Sequence, residues 1–175
     1  MRSSKDNTPW AGDRIERMIR TRNLESEASG LKLLDGRFET PTKVGDFGSG
    51  IGRRRVYFPD AEYIGFDRED VMLENAKKYF PDYDIRRGDI TQVDVQYPEL
   101  VGYFDLILTF SVVQYNNEEE QLAIYKCIHR CLKPGGLYYW RENSEGTVRP
   151  HEVLPDLFEQ LAVDDIGHER LFKKL

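Results

Sequence analysis

The stretch that most constrains this chain runs from residue 44 to 53, Val-Gly-Asp-Phe-Gly-Ser-Gly-Ile-Gly-Arg. Its apolar start reads as a strand, and the three glycines that follow, Gly48, Gly50 and Gly52, form a tight turn that opens a helix. Glycines at this spacing let the backbone bend sharply and approach a ligand with no Cβ in the way. The N–H groups at the start of the following helix then point at that ligand. Dinucleotide enzymes use a similar turn, so by itself it does not select one fold family. The acid at Asp46 and the elements downstream narrow the choice.

Strands and helices alternate along the rest of the chain. Strands are expected at residues 43–47, 63–66, 83–86, 103–110 and 137–141, and helices at 69–79, 118–132 and 154–161. The 118–132 helix places Leu122, Tyr125, Ile128 and Leu132 on one face, and Lys133-Pro-Gly-Gly136 ends it. Residues 162–175 suit a short terminal hairpin. Ahead of the first strand, residues 1–40 read as a tail and a helical cap. The apolar stripe of that cap is Ile15, Met18, Ile19 and Leu24. It is either a lid, with Trp10 or Arg14 reaching over a ligand, or a helix covering one sheet edge. Residues 41–175 form the main domain. The alternation predicts an α/β fold with a mostly parallel sheet. Ligands in such sheets bind outside the carboxyl ends of the strands, at the point where the strand order reverses. That rule gathers Asp46 to Gly52, Asp67, Asp89 and Ser111 to Asn116 along one rim.

Composition limits the partners. At 175 residues, 39% hydrophobic and 32% charged, the chain suits one folded domain. A net charge of −6 argues against a broad nucleic-acid face. No apolar run reaches the ~20 residues that span a bilayer, and the first residues carry no apolar signal core. A cytoplasmic protein without a membrane partner is expected. Cys127 and Cys131 lie four apart on one helix face, with too few neighbouring ligands for a metal, and read as two buried thiols. No metal is expected, and the sequence leaves the oligomeric state open.

The rim residues suggest what is held. Asp67, at the end of the second strand, can accept hydrogen bonds from both hydroxyls of a ribose. Asp89, after Gly88, can accept from an exocyclic amine such as that of adenine.

Asp46-Phe-Gly-Ser-Gly-Ile-Gly52, Gly65-Phe-Asp67, Gly88-Asp-Ile90, Phe104-Asp-Leu-Ile-Leu-Thr-Phe110 and Leu132-Lys-Pro-Gly-Gly136 occur in the order and at about the spacing of one known family. Over residues 43–142 the chain resembles the class I S-adenosylmethionine-dependent methyltransferases. The resemblance implies a Rossmann-like three-layer sandwich with a seven-stranded sheet whose last strand is antiparallel. It also implies S-adenosylmethionine as cofactor and S-adenosylhomocysteine as product. By this resemblance Asp46, Gly48, Ser49, Gly50 and Gly52 surround the methionine part and Asp67 holds the ribose with Arg68 beside it. Asp89 and Ile90 flank the adenine, and residues 109–111, ending at Ser111, line the sulfonium side. The dinucleotide fingerprint fits less well, because Arg53 stands where its third glycine would fall. A P-loop is excluded, since no Gly-Lys-Ser/Thr follows the turn.

One departure from the family stands out. Only 14 residues separate Gly52 from Asp67, so the helix after the turn must end before Pro59. It also begins Arg53-Arg54-Arg55, and positive charge at a helix N-terminus opposes the macrodipole. Those arginines either reach outward into solvent or bind an anion, such as the cofactor carboxylate or an acidic substrate.

Methyl transfer from a sulfonium is an in-line displacement, so the protein mainly aligns the acceptor and excludes water. A hydroxyl acceptor usually needs a general base. The candidates follow strands four and five: Ser111, Gln114, Tyr115, Asn116, Arg141, Glu142 and Asn143. Tyr115 is expected to orient the acceptor, and Glu142, the one carboxylate of the group, to act as the base. An Asn-Pro-Pro-Tyr motif, the mark of the amino-methylating DNA enzymes, is absent after strand four, which argues against DNA. A small molecule with a nucleophilic nitrogen or oxygen is the expected acceptor. Two alternatives stand beside it. A faint similarity of Gly-Ile-Gly-Arg53 and Arg141-Glu-Asn143 to protein N-terminal methyltransferases suggests a protein amine. The fold also admits a catalytically silent cofactor-binding or interaction module.

Overall fold

The computed structural model describes residues 29–34, 40–142, 146–165 and 167–175. The apolar stripe expected for the cap (Ile15, Met18, Ile19 and Leu24), Trp10, Arg14 and Asn143 lie outside them. Seven strands form one sheet: β1 (Lys43–Phe47), β2 (Glu62–Asp67), β3 (Asp84–Arg87), β4 (Phe104–Phe110), β5 (Leu132–Arg141), β6 (Phe158–Val163) and β7 (Glu169–Lys174). Their order is β3-β2-β1-β4-β5-β7-β6. The first five pair in parallel, whereas β7 runs antiparallel to both β5 and β6. The order reverses between β1 and β4, next to the glycine turn. This is the mostly parallel, seven-stranded sandwich with an antiparallel last strand that the motifs led us to expect.

Side chains alternate across the sheet and build two cores. Among the described residues the α-helices are α1 (Asp70–Tyr79), α2 (Val93–Gln96), α3 (Glu118–Cys131) and α4 (Pro150–Val153). None is long and apolar enough to cross a membrane. On one face of the sheet Phe47, Phe66, Ile107, Tyr138 and Trp140 meet Val93 and the α3 residues Ile124, Tyr125, Ile128 and Cys131. On the other, Val44, Tyr63, Leu106, Leu108, Phe110 and Tyr139 meet Phe58 and the short helical turn Ser29–Leu34.

Helix α3 starts at a capping box: the Asn117 side chain accepts from the Glu120 N–H at 3.0 Å and Glu120 reaches back to the Asn117 N–H at 2.9 Å. Its buried stripe is Gln121, Ile124, Tyr125, Cys127, Ile128 and Cys131, so Leu122 falls to the flank of the expected face. Both cysteines are buried free thiols.

Three elements differ from the sequence reading. β5 begins at Leu132 instead of 137, taking in the Lys133-Pro-Gly-Gly136 segment that reads as a helix stop, and Leu132 pairs with Phe104 of β4. Residues 154–161 were expected as a helix, yet the chain turns at 154–157 and runs as β6. Leu154, Leu157, Phe158 and Leu161 do carry helical spacing. The β7 edge overrides it, pairing Phe158 with Lys174 and Gln160 with Phe172. The helix after the glycine turn is only a five-residue 3-10 turn, Arg53–Tyr57. So short a turn has almost no macrodipole, which removes the conflict with three arginines. Arg54 lies 3.8 Å over the Phe110 ring, and Arg55 donates to the carbonyls of Phe58 and Pro59.

Candidate functional site

The site is built from the glycine turn outward. Gly48, Gly50 and Gly52 have φ of 79°, 57° and 77°, the left-handed region that disfavours other residues. At Gly48 there is also no room: a Cβ would sit 2.4 Å from Val112 Cγ2. The turn is pinned to β2, since the N–H groups of Gly48 and Ser49 donate to the Phe66 carbonyl at 2.8 and 2.9 Å. The next N–H, that of Gly50, donates to Asp67 Oδ2 at 2.8 Å. Asp67 Oδ1 accepts from the Glu69 N–H at 2.9 Å. Asp67 is therefore fixed between the turn and the start of α1. Each of its oxygens keeps a lone pair for a further donor. Burial raises its pKa against those backbone bonds.

Beneath the turn, Asp46 is fully buried. The Tyr63 hydroxyl donates to its Oδ2, while Oδ1 has no hydrogen-bond partner among the described residues. Desolvation raises its pKa, opposed chiefly by the field of Arg54 and the Tyr63 hydrogen bond. Ser49 Oγ is likewise buried and without a hydrogen-bond partner among the described residues. Two orphaned polar atoms beside a positive-φ glycine turn fit a polar ligand running over it, because native interiors rarely leave such groups unmet.

The remaining expected cofactor residues separate into two kinds. Asp89 stands at the rim, with its Oδ1 accepting from the Thr91 N–H and hydroxyl at 2.9 and 2.8 Å. Burial works to raise its pKa, but the Thr91 hydrogen bonds and the charge of Arg68 bring it below the ordinary value. Arg68 is exposed and lies 3.5 Å from Glu69. Ile90, by contrast, points inward and packs with Phe66 and Val93. Ser111 is exposed at the end of β4 and has φ 53°, the one positive φ outside glycine among the described residues. Its N–H donates to the Arg141 carbonyl at 2.8 Å.

The two expected catalytic residues are placed very differently. Tyr115 stands 65% exposed on the rim. Glu142 is only 2% exposed. It follows Tyr138 and Trp140 on the α3 side of β5, and its Oε2 accepts from the Val112 N–H at 2.8 Å and more weakly from Gln114 at 3.4 Å. Its Oε1 is buried with no hydrogen-bond partner among the described residues. Desolvation raises its pKa to about 7. A base must touch the proton it removes; this carboxylate faces the backbone of the post-β4 segment instead of the open rim.

One residue of this region escaped the sequence reading. Gln121, buried on α3, donates to the carbonyls of Asn116 and Gly146 at 2.9 and 3.1 Å and accepts from the Val148 N–H at 2.9 Å. It ties the post-β4 segment to the chain after β5. The signal was a polar side chain flanking the apolar stripe of an amphipathic helix.

Known proteins are similar to this chain in sequence and in fold. Residues 44–136, more than half of the chain, match the family model described as a methyltransferase domain. The chain is similar to the sterol 24-C-methyltransferase of Candida albicans, with 32% identity over 105 residues. That match covers 55% of this chain and 26% of the relative, so the chain spans about a quarter of the relative's length. In fold it is similar to the PH0226 protein of Pyrococcus horikoshii OT3, with a TM-score of 0.71, 16% identity, and 90% and 93% of the two chains covered. It is also similar to the 1,6-didemethyltoxoflavin-N1-methyltransferase of Burkholderia thailandensis, whose structure holds 1,6-didemethyltoxoflavin and S-adenosylhomocysteine. That fold match has a TM-score of 0.61 and 14% identity, and covers 96% and 92% of the two chains. With the motifs, the strand order and the family match in agreement, the chain belongs to the class I methyltransferases, whose methyl donor is S-adenosylmethionine.

Proposed function

We propose that this protein transfers the methyl group of S-adenosylmethionine to a nucleophilic nitrogen or oxygen of a small molecule. The observation that carries the reading is Asp67, fixed by two backbone N–H groups beside a glycine turn with two unmet buried polar atoms. When bound, the cofactor supplies a sulfonium methyl, an electrophile that needs no further activation by the protein. Asp67 accepts from the ribose hydroxyls. Asp89, beside Arg68, takes the exocyclic amine of the adenine, and the main chain at Ile90 borders the ring. Gly48 to Gly52 admit the methionine part, and Asp46 Oδ1 and Ser49 Oγ receive its polar atoms.

Ser111 and Tyr115 border the methyl acceptor. Tyr115 presents its hydroxyl or ring face to orient the attacking lone pair. An amine acceptor releases its proton to water as the new bond forms. A small acceptor suits the short connections of the chain, and the Burkholderia thailandensis enzyme of the same fold holds a small molecule, 1,6-didemethyltoxoflavin. The test is an acceptor screen of small amines and hydroxyls, following S-adenosylhomocysteine release. Turnover with one class, reduced by Tyr115→Ala through KM, supports the reading. Turnover confined to peptides with a free N-terminal amine would move it to a protein substrate.

One observation favours a second reading, a cofactor-binding module without turnover. Among the described residues, Glu142 is the one carboxylate among the candidates that follow β4 and β5, and it is buried. Tight S-adenosylhomocysteine binding with no turnover across the screen would select it.

A further inference from the structure

The buried carboxylate on the α3 side of β5 is costly for the fold and does not face the open rim. A buried charge is retained only where something else requires it. Glu142 engages a backbone segment that itself touches the glycine turn. Val112 donates its N–H to Glu142 Oε2 at 2.8 Å. The Val112 side chain, in turn, fills the space over Gly48, where a Cβ would be 2.4 Å from its Cγ2. Immediately before it, Ser111 holds a left-handed conformation that is strained for a residue other than glycine. Strain of this kind persists only where the surroundings enforce it. Here the enforcing contacts are the Ser111 N–H on the Arg141 carbonyl and the Val112 N–H on Glu142.

We propose that Glu142 is a positioning residue: its carboxylate clasps residues 112–114 against the glycine turn and so sets the affinity for the cofactor. The inference rests on the cofactor reading above and gives Glu142 a role other than general base. Oε1 takes the proton when the group is neutral, leaving Oε2 as an uncharged acceptor. A charge-assisted hydrogen bond is roughly twice as strong as a neutral one, so the clasp is tight when Glu142 is ionised and loose when it is protonated. Its pKa of about 7 puts that change in the physiological range.

The groups around it do not compete for this titration. Burial pushes the hydroxyls of Tyr125 and Tyr138 far above neutrality, and both feel the Glu142 charge. Thr109, whose hydroxyl pairs with that of Tyr138 at 2.8 Å and helps to hold the Glu142 pKa down, carries no charge. Arg141 precedes it in β5 and lies 3.1 Å from Glu169. The His168 carbonyl accepts the Glu142 N–H at 3.3 Å. His168, and Asp46 and Asp67 at the cofactor site, are common to wild type and variant and drop out of their difference.

The experiment is calorimetric titration with S-adenosylhomocysteine from pH 5.5 to 8.5, on wild type and Glu142→Gln. Wild type should bind roughly five- to tenfold more weakly at the acid end. Glu142→Gln, a permanent mimic of the protonated group, should stay near the weak value throughout. Amide hydrogen exchange of the cofactor-free proteins gives an independent readout: Val112 should exchange at least about tenfold faster in Glu142→Ala while the β4 core stays protected. Equal pH profiles in wild type and Glu142→Gln, or unchanged exchange at Val112, would overturn the clasp while the cofactor site stands. If wild type itself binds no S-adenosylhomocysteine at millimolar concentration, the cofactor reading falls and takes the clasp with it.

Discussion

Gly48 shows how narrowly single positions define this site. Its φ of 79° and the Val112 methyl pressed over it leave no place for a side chain. Gly48→Ala should cost about 2 kcal/mol or more through strain and overpacking, seen as a lower urea midpoint, and should displace the post-β4 segment enough to abolish cofactor binding. Glu142 makes a second prediction at this scale. Burial raises its folded-state pKa to about 7 from the ordinary 4.5. The folded protein therefore binds a proton that the unfolded chain has already released, and stability falls as pH rises between those values. Below about pH 4.5 wild type and the Glu142→Gln variant are both neutral at this position. Above pH 7 the loss specific to the carboxylate is nearly complete, on the order of 3 kcal/mol. Denaturant unfolding should show Glu142→Gln gaining stability over wild type as pH goes from 4.5 to 7. A constant difference would mean that the carboxyl titrates alike in both states. The need for glycine at 48 was legible in the turn motif, but the burial of Glu142 was not, since the sequence offers it as a candidate base after the fifth strand; burial became visible only once α3 and the post-β4 segment closed over β5.

At the scale of elements, β1, β2 and β4 could be read because each is a short, largely apolar run bounded by glycine, proline or acid, whereas β3, Asp84–Arg87, carries one apolar residue, Ile85. The start of α3 was readable too. Asn117 with Glu120 three positions on is a capping signature, and Asn117→Ala should lower stability by about 1 kcal/mol in thermal or denaturant unfolding with the cofactor site unaffected. β6 was not readable, because its apolar spacing fits a helix and only the neighbouring β7 edge decides otherwise. The Arg53–Tyr57 turn shows a related limit. Three arginines after the glycines looked like a broken rule of helix electrostatics, and the rule ceases to apply once the helix shrinks to a single 3-10 segment. The charge of Arg54 acts instead on the Phe110 ring and on the field at Asp46.

For the whole molecule, the strand order brings the carboxyl ends of the parallel strands together on one rim, with the reversal between β1 and β4 next to the glycine turn. That much followed from five motifs in one order. The identity of the acceptor did not, because none of the five motifs touches it: they specify the cofactor side of the rim, and the residues left for the acceptor, Ser111 and Tyr115, suit more than one nucleophile. Everything proposed for this rim depends on a cofactor site organised by Asp67, so calorimetric titration with S-adenosylhomocysteine on wild type and Asp67→Ala is the decisive experiment. Wild type should bind in the micromolar range. The variant should bind roughly 10- to 100-fold more weakly, since charged hydrogen bonds contribute about 1.5–3 kcal/mol, while remaining folded by circular dichroism. Equal affinity in the two proteins, or no binding by wild type at millimolar ligand, would contradict the Asp67 site.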